Sequence, residues 1–189
     1  MAKTSALIRT FIGVAAPASP ALSEVLRELK AMGSAIKPAD EAKLHVTLKF
    51  LGDTPEDQIE SIGNAIADVA STFAPHRVDL RGLGVFPHAQ RPAVIWIGMQ
   101  RAETLVAMAA GFELAMCDFG FEPEERTFSP HLTLARVKAK PPRSLLDLLD
   151  ANRETSFGEF AVDGICLYAS ELTPHGPEYT VLRSCPLAR

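Results

Sequence analysis

The sequence predicts an α+β protein built mainly from antiparallel sheets. Segments with the two-residue alternation of β-strands occur in both halves of the chain, and amphipathic helical segments separate them. No glycine-rich nucleotide-binding fingerprint joins a strand to a helix. The predicted order is strand, helix, strand, helix, strand, strand, helix, strand, helix, strand, strand, which favours antiparallel pairing over a parallel, doubly wound sheet.

The first predicted strand spans residues 7–14. A helix follows it, because four apolar residues recur at three- and four-residue spacing before Gly33, a suitable helix stop. These residues are Leu22, Val25, Leu26 and Leu29. Residues 34–42 are polar and are predicted to be irregular. The second strand is predicted at residues 44–51 and is expected to end at Gly52.

A second helix is predicted at residues 55–71, with the Thr54 hydroxyl as its N-terminal cap and a proline in its first turn. Residues 78–83 and 93–99 are predicted strands. The loop between them, at residues 86–92, is rich in turn-forming residues and is expected to form a rim.

The second half of the chain is predicted to contain two helices and three strands. From the N- to the C-terminal side, they are a helix at 103–119 capped by Gly120, a strand at 131–137, a helix at 145–151, and strands at 157–168 and 179–182. The two closing strands are expected to be joined by a loop at 170–177.

Composition is typical of a soluble globular enzyme, with 47% hydrophobic and 22% charged residues. The formal net charge of −4 disfavours tracking along long duplexes, which requires a broad cationic surface. Recognition of a nucleotide or a strand end requires only a few cations. The three cysteines form no Cys-x-x-Cys pair, so a reducing cytoplasm is expected rather than a disulfide framework. No segment approaches the roughly 20 apolar residues that span a bilayer.

The pattern His-x-Thr-Leu occurs twice, at residues 45–48 and 131–134, each time in a predicted strand that precedes a helix. Residues i and i+2 of a strand share a face, so the histidine and threonine of each motif point the same way while the apolar residues point into a core. If the two strands meet at a cleft, four polar side chains converge. They are His45, Thr47, His131 and Thr133.

Such a set provides what opening a cyclic phosphodiester requires: a base for water, an acid for the departing ribose oxygen, and donors for the phosphoryl oxygens. Histidine, with an unperturbed pKa near 6.5, serves in either proton step. From the residues alone, the donor and acceptor roles of His45 and His131 are interchangeable. No metal or cofactor is expected, since the sequence contains no dense cluster of metal ligands.

Isolated His-x-Thr patterns are usually surface or core pairs, whereas two copies in the same apolar register are more specific. Arg136 follows the second motif one position out of phase, so it reaches the cleft only through a twist or bulge and is otherwise a surface charge. Phe86 is a candidate for stacking on a base, with a buried anchor as its alternative. Trp96 is expected in the core. The remaining histidines are expected to be solvated in loops: His76, His88 and His175.

The segments around both motifs resemble those of the 2H phosphoesterases, in particular the RNA 2',3'-cyclic phosphodiesterases also called 2'-5' RNA ligases. The similarity covers almost the whole chain. The matching segments are residues 9–12, 45–52, 92–96, 128–136, 167–170 and 176–179. Where family members often carry an aromatic residue before the first motif, this chain has Lys-Pro-Ala-Asp at residues 37–40.

The resemblance implies one bilobal domain over residues 1–189. Two pseudo-symmetric lobes of mainly antiparallel sheet, with outer helices, would surround a central cleft, and each lobe would carry one motif. The implied reaction is hydrolysis of a terminal 2',3'-cyclic phosphate to a 2'-phosphate, on RNA 3' ends or nucleotides.

The resemblance also implies roles for individual residues. His45 would donate a proton to the 3'-oxygen, and His131 would activate water. Thr47 and Thr133 would hold the phosphate, and Arg136 would add a charge-assisted contact. No obligate protein partner is expected, and the chain is expected to act as a monomer.

Three alternatives remain open. The same site is suited to 2'-5' ligation, the reverse reaction, or to another cyclic nucleotide or an ADP-ribose cyclic phosphate. A non-catalytic nucleotide-binding module is a second class, although the presence of both histidines and both threonines argues against a dead site. A purely structural protein leaves the double motif unexplained.

Overall fold

The computed structural model describes residues 5–174 and 176–188, so His175 lies outside the described residues. The strands are β1 (Leu7–Ala15), β2 (Ile36–Pro38), β3 (His45–Pro55), β4 (His76–Phe86), β5 (Val94–Gln100), β6 (His131–Val137), β7 (Ser156–Val162), β8 (Gly164–Thr173) and β9 (Gly176–Pro186). The helices are α1 (Pro20–Ala31), α2 (Ile59–Ala70), α3 (Glu103–Cys117) and α4 (Ser144–Ala151). Short 3₁₀ turns at Glu41–Lys43 and Glu56–Gln58 precede β3 and α2.

The strands form two sheets in which every described pairing is antiparallel. The four-stranded sheet has the order β3-β1-β8-β9, and the five-stranded sheet has the order β2-β6-β5-β4-β7. Helices α2 and α3 contact the first sheet, and α1 and α4 contact the second. One continuous cluster of buried apolar side chains includes residues of both sheets and all four helices. The predicted α+β class with antiparallel sheets is confirmed.

The two motif strands occupy equivalent places in an internal repeat. In the first half, β1 is followed by α1, the motif strand β3 and α2; in the second half, β5 is followed by α3, the motif strand β6 and α4. In both halves the strand before the first helix pairs antiparallel with the motif strand. Strands β3 and β6 belong to different sheets but contact each other, so the repeat brings the two motifs together.

Several predicted boundaries in the first half are wrong. The segment predicted to be irregular contains β2, which pairs with β6 but is too short to show a period. Gly52 does not end its strand: it adopts a positive φ of 73° beside a β-bulge, and β3 continues to Pro55. The Thr54 hydroxyl does not cap a helix, because it is buried in β3 at 2.7 Å from the Thr10 hydroxyl.

The predicted closing strands also differ from the structure. The single strand expected at 157–168 is two strands, β7 in the five-stranded sheet and β8 in the four-stranded sheet, with Asp163 between them. The buried positions change phase at the crossing, from Phe160 and Val162 to Ile165 and Leu167, and the single predicted strand did not take this shift into account. The loop expected at 170–177 is largely the paired ends of β8 and β9.

Candidate active site

Both motif histidines are held by the same local contact. Nδ1 of His45 lies 2.8 Å from the carbonyl oxygen of Lys43, and Nδ1 of His131 lies 2.8 Å from the carbonyl oxygen of Ser129. A carbonyl only accepts, so the proton of each bond resides on Nδ1. The second ring nitrogen, Nε2, is thereby the site at which each imidazole gains or loses a proton.

The threonines lie beside the histidines on the same faces of their strands, as predicted. In β3 and in β6 the histidine and threonine are partly exposed, and the two apolar residues of each motif are buried. Within the described part of the chain, neither Thr47 nor Thr133 uses its hydroxyl in an intramolecular hydrogen bond. Both hydroxyls are therefore available to donate to a ligand.

An aromatic cluster surrounds His45. The ring centroid of Phe11 lies 4.8 Å from that of His45, and Tyr179 meets the imidazole edge-on at 4.9 Å. Tyr168 stacks on Phe11 at 4.9 Å. Burial among these rings lowers the pKa of His45, because desolvation disfavours the charged imidazolium, and the bond to the Lys43 carbonyl only partly opposes this effect.

His131 has a different neighbourhood. The ring of Phe86 meets it edge-on at a centroid distance of 5.2 Å. Phe86 in turn packs against Trp96 at 5.1 Å, and 37% of the Phe86 residue remains exposed. Phe86 is therefore not a fully buried anchor, and it lies next to the second motif.

The prediction that Trp96 belongs to the core is wrong. Trp96 is directly opposite Thr133 in the β5–β6 pairing and is only partly buried, so both residues share the face that carries the second motif. Its ring occupies the space where a side chain at Gly84 would collide with it. Among the described residues, the indole Nε1 is a buried donor without a partner.

A β-bulge brings Arg136 to the face that carries the second motif. Thr133 pairs with Trp96 and Ala135 pairs with Ile95, so Leu134 is an extra residue in β6. The pattern thereafter shifts by one position, and exposed Arg136 pairs with Val94, two residues from Trp96 on the same face.

The charge of Arg136 acts across to the first motif. Burial raises the pKa of the Tyr179 phenol, and the positive charges of Arg136 and Lys43 oppose this rise. Tyr179 also contacts His45. Arg136 of the five-stranded sheet thus lies near the His45 neighbourhood in the four-stranded sheet.

The first motif has a matching bulge, which sequence reasoning did not identify. Thr47 pairs with Gly13 and Lys49 pairs with Ile12, so Leu48 is the extra residue. Phe50 then lies on the face of Thr47, five positions after its histidine, as Arg136 is five positions after His131. Phe50 is 57% exposed, and its ring lies 6.0 Å from that of Phe11.

Ion pairs anchor the segments that lead into the motifs. The Lys43 ammonium donates to Glu178 of β9 at 2.7 Å, which raises the pKa of Lys43 and fixes the start of β3. Lys49, buried behind the first motif, donates to Glu113 of α3 at 2.5 Å and to the Glu122 carbonyl at 3.1 Å. Glu113 also accepts from the Glu124 amide, so this pair holds the beginning of the segment that ends at His131.

The other described histidines lie outside this cluster. His76 is the first residue of β4 rather than part of a loop, and its Nδ1 lies 3.2 Å from the Ala74 carbonyl oxygen. His88 is exposed in the loop after β4. Across residues 5–174 and 176–188, no three or more His, Cys, Asp and Glu side chains are grouped closely enough to hold a metal ion. No helix in those ranges has the length and apolarity of a membrane span.

The residues that sequence reasoning missed as site residues are mostly aromatic. Phe11, Tyr168 and Tyr179 lie in segments that carry the family resemblance, so similarity pointed to them although periodicity did not. Their pairing around His45 depends on the order β3-β1-β8-β9, which no local pattern encodes. In the sequence Phe50 is one more apolar residue of a strand, and only the bulge at Leu48 places it on the face of Thr47.

Two antiparallel sheets with a His-x-Thr motif on adjoining strands define the class of the 2H phosphoesterases. Comparison with known families agrees, because the family model described as the 2'-5' RNA ligase superfamily matches residues 17–173. The chain belongs to this superfamily. The predicted family is confirmed.

Curated relatives and solved structures give the same result. The chain is 34% identical over 160 residues to an RNA 2',3'-cyclic phosphodiesterase of Methanothermobacter thermautotrophicus, covering 84% of this chain and 86% of that protein. It is 34% identical over 184 residues to one of Aquifex aeolicus, covering 93% and 95%. These names agree with the predicted enzyme class.

Among solved structures, TT0787 of Thermus thermophilus superposes with a TM-score of 0.82 at 32% identity, over 95% of this chain and 98% of that one. E. coli LigT complexed with 3'-AMP superposes with a TM-score of 0.74 at 23% identity, over 97% and 99%. The LigT comparison supports the fold.

Proposed function

We propose that this chain is an RNA 2',3'-cyclic phosphodiesterase that hydrolyses a terminal 2',3'-cyclic phosphate to a 2'-phosphate. Membership of the 2'-5' RNA ligase superfamily and the shared name of the curated relatives support the reaction class. The observation that carries the proposal is the matched pair of histidines, each fixed through Nδ1 to a backbone carbonyl two residues earlier.

In the proposed mechanism, Nε2 of His131 accepts a proton from the attacking water as its oxygen bonds to phosphorus. The bond between phosphorus and the 3'-oxygen breaks, and Nε2 of His45 donates a proton to that oxygen. The 2'-oxygen keeps the phosphate. The cycle leaves His131 protonated and His45 neutral, and proton exchange with water restores both.

The remaining polar groups stabilise the phosphoryl oxygens. The Thr47 and Thr133 hydroxyls donate hydrogen bonds as negative charge develops. Arg136, returned to this face by the bulge at Leu134, adds a charge-assisted contact.

The donor role of His45 requires a proton that burial disfavours in the free protein. A bound cyclic phosphate carries negative charge, and a nearby opposite charge favours the protonated imidazole. Substrate binding therefore loads His45 with the proton it donates. The role of His131 makes no such demand, since a base begins the reaction neutral.

Two exposed aromatic side chains are proposed as contacts for the terminal base. Phe86 touches His131, and Phe50 lies on the His45 face. Each has a large exposed fraction, 37% and 57%. Stacking of a base on an exposed aromatic ring contributes about 1–3 kcal/mol per base to the binding of single-stranded nucleic acid.

The test uses protein treated with a chelator, a 2',3'-cyclic mononucleotide and an RNA ending in a cyclic phosphate. We expect hydrolysis to the 2'-phosphate isomer in excess chelator. His45→Ala and His131→Ala should each lose at least about 10²-fold in kcat, while product binding persists through the threonines. The double variant should lose less than the product of the two single losses, since both act in one event.

His88→Ala is the matched control, since this exposed loop histidine should be dispensable. A 3'-phosphate product would reject the regiochemistry. Activity that vanished with chelator and returned with a divalent ion would reject the metal-free mechanism. A single histidine variant that kept more than about a tenth of wild-type turnover, far from the expected loss, would remove that residue from proton transfer.

We also propose that the protein acts as a cytoplasmic monomer without an obligate protein partner. Cys117, Cys166 and Cys185 are free thiols, in keeping with a reducing compartment. All proposed site residues come from one chain, in keeping with a monomeric enzyme.

A further inference from the structure

Lys49 is a buried cation that the proposed reaction does not use. It lies in β3, two positions after Thr47. In the part of the chain that the structure describes, it is the one charged residue that is buried, with 3% of its surface exposed. Taking an ion pair out of water costs desolvation free energy that the mutual attraction often does not exceed. Burial of Lys49 with Glu113 therefore calls for a role other than stability alone.

The contacts of Lys49 lead to the other half of the chain. Its ammonium donates to the Glu113 carboxylate of α3 at 2.5 Å and to the carbonyl oxygen of Glu122 at 3.1 Å. The same carboxylate accepts from the amide of Glu124 at 3.1 Å. Helix α3 and residues 122–124 belong to the half that carries the second motif. A residue of the first motif strand thus anchors the segment that precedes the second motif.

The anchored segment, residues 122–130, has few other attachments. Among the described residues, the bonds at Glu122 and Glu124 are the hydrogen bonds that hold positions 122–128. Residues 122–127 are exposed, and Phe128 packs partly buried against the apolar cluster. Ser129 then supplies the carbonyl oxygen that lies 2.8 Å from Nδ1 of His131. The position of this carbonyl therefore depends on the anchor at 122–124 and on Phe128.

The Ser129 carbonyl decides which nitrogen of His131 acts as a base. While the carbonyl accepts from Nδ1, the neutral imidazole carries its proton there, and Nε2 is free to accept another. If the carbonyl moves away, the proton is no longer confined to Nδ1. The tautomer with the proton on Nε2 presents a donor to the attacking water, so it cannot act as the base.

Resting on the proposed function, we propose that Lys49 is a positioning residue for His131. Through Glu113 and residues 122–124, it holds the Ser129 carbonyl against Nδ1 of His131. The charge buried in one motif strand then serves to fix a side chain of the other motif.

His45 is nearer to Lys49 in the chain, four positions away on the same strand, but it has a separate attachment. Its Nδ1 bonds to the Lys43 carbonyl, and the Lys43 side chain is tied to Glu178 of β9. Loss of the Lys49 ion pair should therefore affect the distant histidine and spare the near one.

The test uses the double variant Lys49→Met/Glu113→Leu, which removes the pair and leaves no unpaired buried charge. Nitrogen NMR of the imidazole rings, at a pH where they are neutral, measures the tautomer of each histidine. The signals are identified with His45→Gln and His131→Gln. In the wild type we expect the proton on Nδ1 in both rings. In the double variant, the proton of His131 should shift toward Nε2, and His45 should be unchanged.

Activity provides a second measurement. In the double variant kcat should fall by about tenfold, less than the roughly 10²-fold loss expected without the base, because part of the His131 population keeps the reactive tautomer. Affinity for the 2'-phosphate product should remain, since both motif threonines are present. The control Glu24→Leu/Arg27→Met makes the same exchange at an exposed ion pair of α1 and should change neither kcat nor the tautomers.

A second variant tests the anchor from the segment itself. Glu124→Pro removes the amide that donates to Glu113 and leaves the ion pair in place. Because Glu124 is exposed in a loop, this variant should fold even if the double variant does not. It should shift the His131 tautomer in the same direction. Circular dichroism establishes that each variant is folded.

Each outcome decides the question. A His131 tautomer that stayed on Nδ1 in the folded variants would overturn the role of Lys49. So would a His45 tautomer that changed as much as that of His131, because it would indicate a general disturbance of β3. If the wild-type protein hydrolysed no cyclic phosphate, the proposed function would fail, while the tautomers would still decide whether Lys49 positions His131.

Discussion

At the scale of single residues, the two catalytic candidates share one local arrangement but differ in their surroundings. In both imidazoles, Nδ1 donates a hydrogen bond to a backbone carbonyl. The repeated motif produces this bond in both strands. The rings of Phe11 and Tyr179 contact His45, whereas the ring of Phe86 contacts His131. The sequence presents two equivalent histidines, and the fold makes them unequal.

This inequality predicts the pH dependence. In the free protein, burial lowers the pKa of His45, so His45 loses its proton at a lower pH than an ordinary histidine. Because the proposed donor must be protonated, kcat/KM, which reports the free enzyme, should fall as pH rises through this lowered pKa. In the complex the phosphate raises the pKa, so the alkaline limb of kcat should lie at higher pH. Two pH–rate profiles measure the difference.

Substitutions of Tyr179 provide the control. Tyr179→Leu removes the ring edge that shields His45, so water enters and the alkaline limb of kcat/KM should move up. Tyr179→Phe retains the aromatic ring, so the alkaline limb of kcat/KM should stay at its wild-type pH. An NMR titration of the imidazole signals in the free protein measures the pKa of His45 directly. The His45 signal is identified as the one that is missing in His45→Gln. A His45 that titrated above the ordinary value of about 6.5 would contradict the assignment.

The candidate site shows how far residue patterns reach. His45, Thr47, His131 and Thr133 were predicted because their spacing alone fixes a shared face. Arg136 was predicted to need a bulge, and the bulge exists. The aromatic shell of His45 was not predicted as a site, since it depends on which strands become neighbours.

At the scale of elements, a buried ion pair connects the motif strand β3 with α3. The Lys49 side chain is 1% exposed and Glu113 is 22% exposed. Glu113 also binds the Glu124 amide at 3.1 Å. The pair therefore fixes both the back of the first motif and the start of the segment that leads to His131.

Removing one partner should destabilise the protein more than removing both. Glu113→Ala leaves Lys49 as a buried charge, which typically costs about 3–5 kcal/mol, and less here because water reaches Glu113. We expect the free energy of unfolding to fall by about 2–3 kcal/mol. The double variant Lys49→Met/Glu113→Leu should lose less, because no uncompensated charge remains. Urea denaturation of both variants measures the difference.

A matched acidic control is Glu28→Ala on the exposed face of α1, which should change stability by less than about 0.5 kcal/mol. If Glu113→Ala behaved like Glu28→Ala, the pair would have no stabilising role. A double variant with a lower free energy of unfolding than Glu113→Ala would show that the hydrogen bonds of the pair stabilise the fold, and that the uncompensated Lys49 charge is not the main cost.

Elements were predicted well where a pattern is long and uninterrupted. Strand β6 has the predicted bounds, and helix α1 buries the four apolar residues that predicted it. The failures share a cause, since a three-residue strand, a bulge at a glycine and a crossing between sheets are all set by tertiary pairing. Local periodicity carries no information about the strand that lies alongside.

At the scale of the whole molecule, the two sheets and four helices share one buried apolar cluster. The chain crosses between the sheets repeatedly: β2 and β7 join the five-stranded sheet, and β3 and β8 belong to the other. The ion pair between Lys49 of β3 and Glu113 of α3 also connects the two halves of the chain. A continuous core crossed several times by the chain favours unfolding as one unit.

We therefore predict a single cooperative unfolding transition for the two lobes. Trp96, the one tryptophan of the sequence, reports on β5 of the five-stranded sheet through its fluorescence. Cys185 is 1% exposed in β9 of the four-stranded sheet, so its reaction with a thiol reagent reports on the other sheet. The thiols of Cys117 and Cys166 are more accessible than that of Cys185. The variants Cys117→Ser and Cys166→Ser therefore measure how much of the thiol reaction comes from these two residues. Since one core joins both sheets, the two probes should give the same urea midpoint. Separate midpoints would divide the chain into two domains.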